Sequence, residues 1–219
     1  YDDLDAIKSL GFRGEALASI AAVADVEIVT RTNFDAHAWR VVIGPNAGPT
    51  QPEPYQAPIG TAVRVQSLFH HIPARRRFLK RSRTEFLHIR RLMQRFGFAS
   101  PWVGLRLRDH GRRGLNLRPA SEDDSSQRWR TLFGEPFINA ARRIDIVAGN
   151  VRLWGWVGTP ELAKNTSDLQ FLALNGRQIR DRHIAHAIRL AFDERLAPGK
   201  IPTYALAIEL PCDEVDVNV

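Results

Sequence analysis

A chain of 219 residues is long enough for one large domain or two modest ones, and 44% hydrophobic with 25% charged residues is typical of a folded globular protein. The single cysteine, Cys212, excludes an internal disulfide and a multi-cysteine metal site, and the apolar runs fall far short of the about 20 residues that a membrane-spanning helix needs. The net charge of +7 favours a polyanionic partner such as nucleic acid.

The first third of the sequence predicts one helix followed by a run of strands. Leu17, Ile20 and Ala24 recur at helical spacing and predict a helix over residues 16–24. A proline-rich stretch at residues 45–58 predicts a loop. Alternating apolar and polar residues predict strands at residues 25–32, 38–44 and 60–69. We expect these strands to form one antiparallel sheet with the helix against one face.

A second predicted helix, residues 84–98, lies in the middle of the sequence and is amphipathic. One side carries an apolar stripe and the other is basic. The stripe consists of Phe86, Ile89, Met93 and Phe96, and the basic side consists of Arg90, Arg91 and Arg95. Strand-like pieces follow at residues 102–109 and 114–119. The polar, acidic stretch at residues 120–127 then predicts a linker.

Beyond this linker a second pattern of strands begins. A hairpin is predicted around the turn pair Gly149–Asn150. Further strands are predicted at residues 168–177 and 201–210, with a helix over residues 182–196 between them. The sequence therefore predicts an α+β protein of two domains, with residues 1–119 in the first, 120–127 as the linker and 128–219 in the second.

The stretch GFRGEAL, residues 11–17, stands directly before the first predicted helix. Gly11 and Gly14 allow positive φ angles or a close approach of the backbone to a ligand. The unpaired amides and the dipole at a helix start attract an anion, and Arg13 is suited to a phosphate group or a carboxylate partner. A flexible loop before a capped helix is the plainer interpretation of the same residues, and both stay open on physical grounds.

The complete heptad resembles the signature of the MutL family of DNA mismatch-repair proteins. Further blocks resemble the same family in the same order. They are DDLDAIKSLGFRGEALASI at 2–20, GTAVRVQSLF at 60–69, PARRRFL at 73–79, LNGRQIRDR at 174–182 and VDVNV at 215–219. Five ordered blocks are far more specific than one, and together they extend along the whole chain.

This resemblance implies a fold and a nucleotide. The fold is the later half of a GHKL, or Bergerat-type, ATPase α/β sandwich followed by a ribosomal-protein-like α/β domain. The resemblance also implies ATP with Mg²⁺ as cofactors and slow hydrolysis. Thr61 is similar to a family threonine near the adenine, although a β-branched residue that merely begins a strand fits equally well. The implied ATP-binding residues are Gly11, Phe12, Arg13, Gly14, Glu15, Ala16, Leu17 and Thr61.

The partners that the resemblance implies are those of a mismatch-repair matchmaker. They are DNA, a MutS-type mismatch sensor, a downstream nuclease or helicase, and a second copy in a homodimer that forms when ATP binds. No leader or membrane segment is evident in the sequence, so we expect a cytoplasmic protein. The protein couples mismatch recognition to strand incision in this interpretation.

Several parts of a GHKL ATPase are not found in the sequence. In a GHKL ATPase, an E-x-x-x-N helix that supplies the water-activating glutamate and the Mg²⁺-binding asparagine stands before the segment that corresponds to GFRGEAL. Residues 1–10 contain neither that pattern nor the D-x-G-x-G strand that reads adenine. We therefore expect a piece of a longer protein, with no catalytic or metal-binding residue of its own and no ATPase activity in isolation. Two other classes stay open: a gyrase-like GHKL topoisomerase subunit and a non-enzymatic nucleic-acid-binding module.

Basic residues form two groups in the sequence. The first follows Pro73, where we expect PARR to pack structurally and the later cations to face DNA, although a solvated surface is the simpler explanation. The second group surrounds the start of the last predicted helix, and Arg182 is similar to a family arginine implicated in DNA binding. The implied DNA-binding residues are Arg177, Arg180, Arg182 and Arg189. Contacts to phosphates predict binding without sequence specificity.

The other reactive side chains predict no site. The histidine pairs lack a nearby third ligand, and we expect them on the surface. Trp154 and Trp156 alternate along a strand and are interpreted as packing residues. Cys212 is expected to be an inert, partly buried thiol.

Overall fold

The computed structural model of this chain describes residues 14–45, 48–120, 126–192 and 195–215. These residues divide into two compact units, a first unit that ends at Arg81 and a second unit that begins at Ser82. The domain boundary predicted at residues 120–127 stays a prediction, and residues 121–125 lie outside the described part. In the described ranges, no helix combines the length and the apolar character required to cross a bilayer.

The first unit contains a four-stranded sheet. Its elements are α1 (Ala16–Ala21), β1 (Asp25–Arg31), β2 (Ala38–Ile43), β3 (Glu53–Tyr55), β4 (Gly60–Gln66) and α2 (Pro73–Arg76). The strand order is β3-β2-β1-β4, with every neighbouring pair antiparallel. The three predicted strands are present as β1, β2 and β4. Val26, Val29 and Ala38 are buried, whereas every residue of β4 is exposed, so a half-buried face is not confirmed for that strand. β3 lies inside the segment predicted as a loop, and β4 ends before Ser67 and Phe69, which have positive φ angles.

The second unit contains a five-stranded sheet, a separate hairpin and four helices among its described residues. Its elements are α3 (Ser82–Ala99), β5 (Leu105–Asp109), β6 (Arg112–Leu117), α4 (Ser126–Phe133), α5 (Glu135–Ala140), β7 (Arg142–Ala148), β8 (Val151–Val157), β9 (Gln170–Leu174), β10 (Arg177–Gln178), α6 (Arg182–Ala191) and β11 (Tyr204–Glu209). The sheet order is β10-β9-β11-β8-β7. Only β9 and β11 pair in parallel among these strands, and the chain between them contains α6, as a crossover requires.

Aromatic side chains fill the larger core of the second unit. Phe98 near the end of α3 contacts four rings at centroid distances of 5.8 to 6.1 Å. These rings belong to Trp129, Phe133, Trp154 and Phe171. Trp154 and Trp156 are therefore packing residues, as predicted. A smaller cluster of Leu172, Tyr204 and Leu206 packs with Ile184 and Ile188 of α6. Because residues alternate along β9 and β11, the two clusters lie on opposite faces of the sheet.

A buried arginine connects the elements around this core. Arg128 of α4 is only 4% exposed, and it donates to main-chain carbonyl groups. Its Nε and Nη2 donate to Gly97 at 3.2 and 2.6 Å, and Nη2 also donates to Ser100 at 3.2 Å. Its Nη1 donates to Val103 at 3.0 Å and to Arg118. Burial lowers the pKa of Arg128 below that of a solvated guanidinium.

Candidate nucleotide and nucleic-acid sites

The predicted phosphate-binding segment is described from Gly14 onward. Gly11, Phe12 and Arg13 lie outside the described residues. Gly14 has a φ angle of +67°, a conformation that favours glycine, and Glu15 turns into the helical region with φ −92° and ψ −12°. The amide of Ser19 donates to the Glu15 carbonyl at 2.9 Å, so the first turn of α1 begins here.

The start of α1 is exposed and lacks a side-chain cap. Gly14, Glu15, Ala16 and Leu17 are all solvent-exposed, and Glu15 at the N-cap position makes no side-chain cap hydrogen bond. The first amides of any helix have no partner within that helix. An anion at this position would therefore meet donors that the side chain of Glu15 does not cap.

Thr61, the other predicted nucleotide contact, lies on β4 beside Thr30 of β1. Their Oγ1 atoms are 2.8 Å apart, and Thr61 is exposed. Each hydroxyl has one donor hydrogen and two acceptor lone pairs. After the two hydroxyls bond to each other, one donor hydrogen and several acceptor lone pairs stay available for a ligand or water. The geometry is compatible with contact to a ligand through a water molecule.

On the face of the sheet opposite Thr61, Arg40 and Arg64 are paired with carboxylates. Arg40 contacts Glu27 at 2.8 Å and Glu53 at 2.5 Å, and Arg64 also contacts Glu27. Hydrogen bonds to Glu53 and then to Glu27 raise the pKa of Arg40. This face of the sheet is therefore internally neutralised rather than arranged for a phosphate group.

The four predicted DNA-binding arginines lie around α6 in the second unit. Arg177 belongs to β10, Arg180 precedes α6, Arg182 is its first residue and Arg189 lies in its last turn. Because Arg182 and Arg189 are seven residues apart, they lie on the same side of the helix, about 10 Å apart along its axis. Asp181 caps α6 by accepting from the Ile184 amide at 2.7 Å. The Ile184 amide is therefore already bonded within the chain, and phosphate contacts in this region would have to come from side chains.

Two of these arginines line a cleft that we call the α3–α6 cleft. Its volume is about 370 Å³ and it lies between α3, the β10–α6 segment and the sheet. The side chains that line it include Arg95, Arg180, Arg182, Gln170, Gln178 and Tyr204. The sequence predicted Arg95 on the basic side of a helix and assigned it no role. No nearby residue in the sequence indicates that α6 lies next to Arg95.

The α3–α6 cleft is electrostatically positive. Burial lowers the pKa of Arg95, and the nearby cations Arg180 and Arg91 lower it further. Asp168 acts in the opposite direction, but its carboxylate binds Arg91 at 2.9 Å. Burial also raises the pKa of Tyr204, so its phenol stays protonated near neutrality.

The remaining basic and reactive side chains lie at the surface. Every residue of α2 is exposed, so the prediction that PARR packs structurally is wrong for this structure. The cations of this region are all exposed: Arg75, Arg76, Arg77, Lys80, Arg81 and Arg83. Cys212 is exposed, in contrast to the partly buried thiol predicted, because it begins a short turn after β11.

The predicted histidine pairs are also exposed. His70 and His71 lie after β4, and His183 and His186 lie on the solvent side of α6. The part of the chain that the structure describes contains no cluster of three or more His, Cys, Asp or Glu residues able to hold a metal. These histidines therefore offer no geometry from which to argue a metal site.

Sequence comparison identifies relatives along the whole chain. The DNA mismatch repair protein MutL of Pseudomonas putida GB-1 is 41% identical over 219 residues, and that of Aeromonas hydrophila is also 41% identical over the same span. A family model described as DNA mismatch repair protein, C-terminal domain, matches residues 129–219. This chain belongs to the MutL family. It spans 35% of the length of these two curated relatives.

Solved structures agree with the α+β fold predicted for a MutL-family chain. The N-terminal domain of a DNA repair protein superposes with a TM-score of 0.78 at 22% identity, covering 97% of this chain and 68% of that one. The Aquifex aeolicus MutL ATPase domain complexed with ADP gives 0.68 at 22% identity, covering 90% and 72%. At this identity the likeness shows the fold, which is the fold class predicted.

Proposed function

We propose that this MutL-family chain forms part of an ATP-driven DNA mismatch-repair factor. In this proposal the protein acts in the cytoplasm, binds ATP with Mg²⁺, hydrolyses it slowly and dimerises in response. It then couples a MutS-type mismatch sensor to a downstream nuclease or helicase that incises or unwinds the strand. The observation that carries the nucleotide part is the exposed start of α1, where Glu15 at the N-cap position makes no side-chain cap hydrogen bond.

The proposed ATP site uses main-chain amides. Gly11, Phe12, Arg13, Gly14 and Glu15 would surround the triphosphate, and Ala16 and Leu17 would add the first amides of α1. Thr61 would contact the adenine through water. The similarity to a MutL ATPase domain whose structure contains ADP supports this assignment.

The groups that this chain offers at the start of α1 are suited to bind the nucleotide phosphates and not the metal ion. The start of α1 offers N–H donors, whereas Mg²⁺ requires oxygen ligands in octahedral geometry. We therefore assign no Mg²⁺ ligand and no general base to this chain. Its proposed task is to hold and orient ATP, and the hydrolytic groups are proposed to come from outside these 219 residues.

ATP binding by the full-length protein tests this proposal. Equilibrium dialysis with radiolabelled ATP compares the wild type with Gly14→Val, which places a β-branched residue at φ +67°. We expect ATP binding to weaken at least tenfold. Gly48→Ala is the matched control, because Gly48 has no neighbour within 4 Å of an added Cβ and no positive φ angle. Absence of ATP binding in the wild type would overturn the proposal.

DNA binding is proposed to depend on arginine–phosphate contacts around α6. Arg177, Arg180, Arg182 and Arg189 would contact the backbone without reading base sequence. Fluorescence anisotropy with duplexes of two unrelated sequences tests this, because phosphate contacts predict equal affinities and a steep decrease with salt. A clear preference for one sequence would contradict it.

A further inference from the structure

Arg95 enters the α3–α6 cleft from a rigid element. It lies in the last turns of α3, two residues before the buried Gly97, and Phe98 and Ala99 of the same turn belong to the aromatic core. That packing fixes the helix backbone from which the Arg95 side chain extends. Arg180 and Arg182 reach the same cleft from the segment that leads into α6.

The positive charge in this cleft exceeds the negative charge that faces it. Arg95, Arg180 and Arg182 contribute three guanidinium groups. Asp181 is the carboxylate among the lining residues, and its Oδ1 is bound to the amide of Ile184. Asp168 is held by Arg91. Like charges in a concave, partly buried site repel one another, and a bound anion relieves that repulsion.

The polar groups around these arginines suit a tetrahedral oxyanion. Guanidinium groups bind phosphate oxygens through forked N–H donors. The charge of Arg180 is close enough to lower the pKa of Arg95, and Arg182 also lines the cleft, whose volume admits one phosphate group. The protonated phenol of Tyr204 and the side chain of Gln178 also line the cleft and can donate.

We propose that the α3–α6 cleft holds one backbone phosphate of DNA, and that Arg95 and Arg180 are the residues that bind it. This proposal rests on the DNA binding proposed above and adds a defined phosphate position and a residue, Arg95, from outside the α6 region. Arg182 and Arg189 are exposed and lie about 10 Å apart along α6, a distance close to the rise of three base pairs. A DNA strand with one phosphate in the cleft would therefore also contact these two side chains.

Anisotropy titrations of a labelled duplex against the full chain test the proposal over a series of salt concentrations. We expect Arg95→Gln to weaken binding about tenfold and to lower the slope of log K against log salt by about 0.9, the value for one lost phosphate contact. Arg90→Gln, at an exposed arginine five residues earlier on α3, is the matched control and should change affinity less than twofold.

Arg180→Gln is the second variant, for the case that Arg95→Gln perturbs folding. Arg180 is exposed, so its substitution should not affect folding, and we expect the same loss of DNA affinity. If Arg182→Gln weakens DNA binding while both cleft variants bind normally, the cleft proposal is wrong and DNA binding by α6 stands. If the wild type binds no DNA, both proposals fail. Inorganic phosphate is the second probe: tight binding of phosphate with unchanged DNA affinity in Arg95→Gln would identify a small-anion site and overturn the proposal.

Discussion

Substitution of Arg128 by methionine removes the guanidinium that joins α4 to the end of α3 and to the end of β6. Methionine retains much of the aliphatic volume but offers no donor. The change leaves the carbonyls of Gly97, Ser100, Val103 and Arg118 without the hydrogen bonds that Arg128 supplies. Two of these carbonyls belong to the end of α3, where the helix dipole favours a positive charge.

The expected cost follows from the number of acceptors and their burial. A hydrogen bond to a charged group contributes about 1.5–3 kcal/mol, and a buried acceptor left unpaired costs about 1–3 kcal/mol. The four acceptors do not add fully, because removal of the guanidinium also relieves its own desolvation and water can reach part of the site. We expect Arg128→Met to lower the free energy of unfolding by about 3–5 kcal/mol.

Urea denaturation followed by tryptophan fluorescence measures this cost, since Trp129 and Trp154 lie in the adjacent core. Arg130→Met is the matched control, because Arg130 lies on the same helix but is exposed and contacts Glu135 at 3.6 Å. An exposed ion pair contributes about 0–1 kcal/mol, so the control should change stability by no more than that. A loss below about 1 kcal/mol in Arg128→Met would refute the proposed role of its carbonyl contacts.

Two further predictions concern the hairpin of β7 and β8. Gly155→Ala should lower the free energy of unfolding by about 2–4 kcal/mol, because Gly155 has φ +136° and an added Cβ would lie 2.0 Å from the Ala205 carbonyl oxygen. Gly149→Ala is the control for the Cβ clash, because Gly149 also has a positive φ of +62° but has no neighbour within 4 Å of an added Cβ. Equal urea midpoints for the two variants would contradict this prediction. The hydrogen bond from Arg152 lowers the pKa of Asp145 below 3.8, so its stabilising contribution is present above that value and lost as pH falls through the lowered pKa. The stability difference between wild type and Asp145→Asn should therefore be constant from about pH 7 to pH 5 and shrink as the pH falls through the lowered pKa of Asp145. A difference that grew on acidification would be inconsistent with this pair.

The sequence predicted most strands because their half-buried faces alternate in polarity. The hairpin turn at Gly149–Asn150 and the helix α3 were also recognised from local signals. β3 was missed because its prolines indicate a loop, and this short edge strand tolerates them since one side pairs with no neighbour. α4 carries Trp129, Leu132 and Phe133 at helical spacing, a signal that its polar flanks obscured.

The candidate sites were predictable only as far as local chemistry extends. The residues of the glycine-rich segment lie next to one another in the sequence, and so do the arginines before α6. In each case the residue types alone indicate anion binding. Arg95 and Arg128 were not recognised, because charged residues on amphipathic helices usually face solvent. Their roles depend on segments that are distant in the sequence. Arg128 is surrounded by main-chain carbonyls of other elements, and Arg95 lies near further arginines of the segment before α6.

Hydrogen–deuterium exchange at Gly14–Ser19 tests the central claim most directly, because the proposed ligands of the triphosphate are main-chain amides. The measurement compares the full-length protein in the presence and absence of ATP and Mg²⁺. We predict that saturating ATP slows exchange at least tenfold in peptides covering these residues, while peptides of the exposed helix α2 are unchanged. Unchanged exchange at Gly14–Ser19 under conditions where ATP is bound would contradict the account.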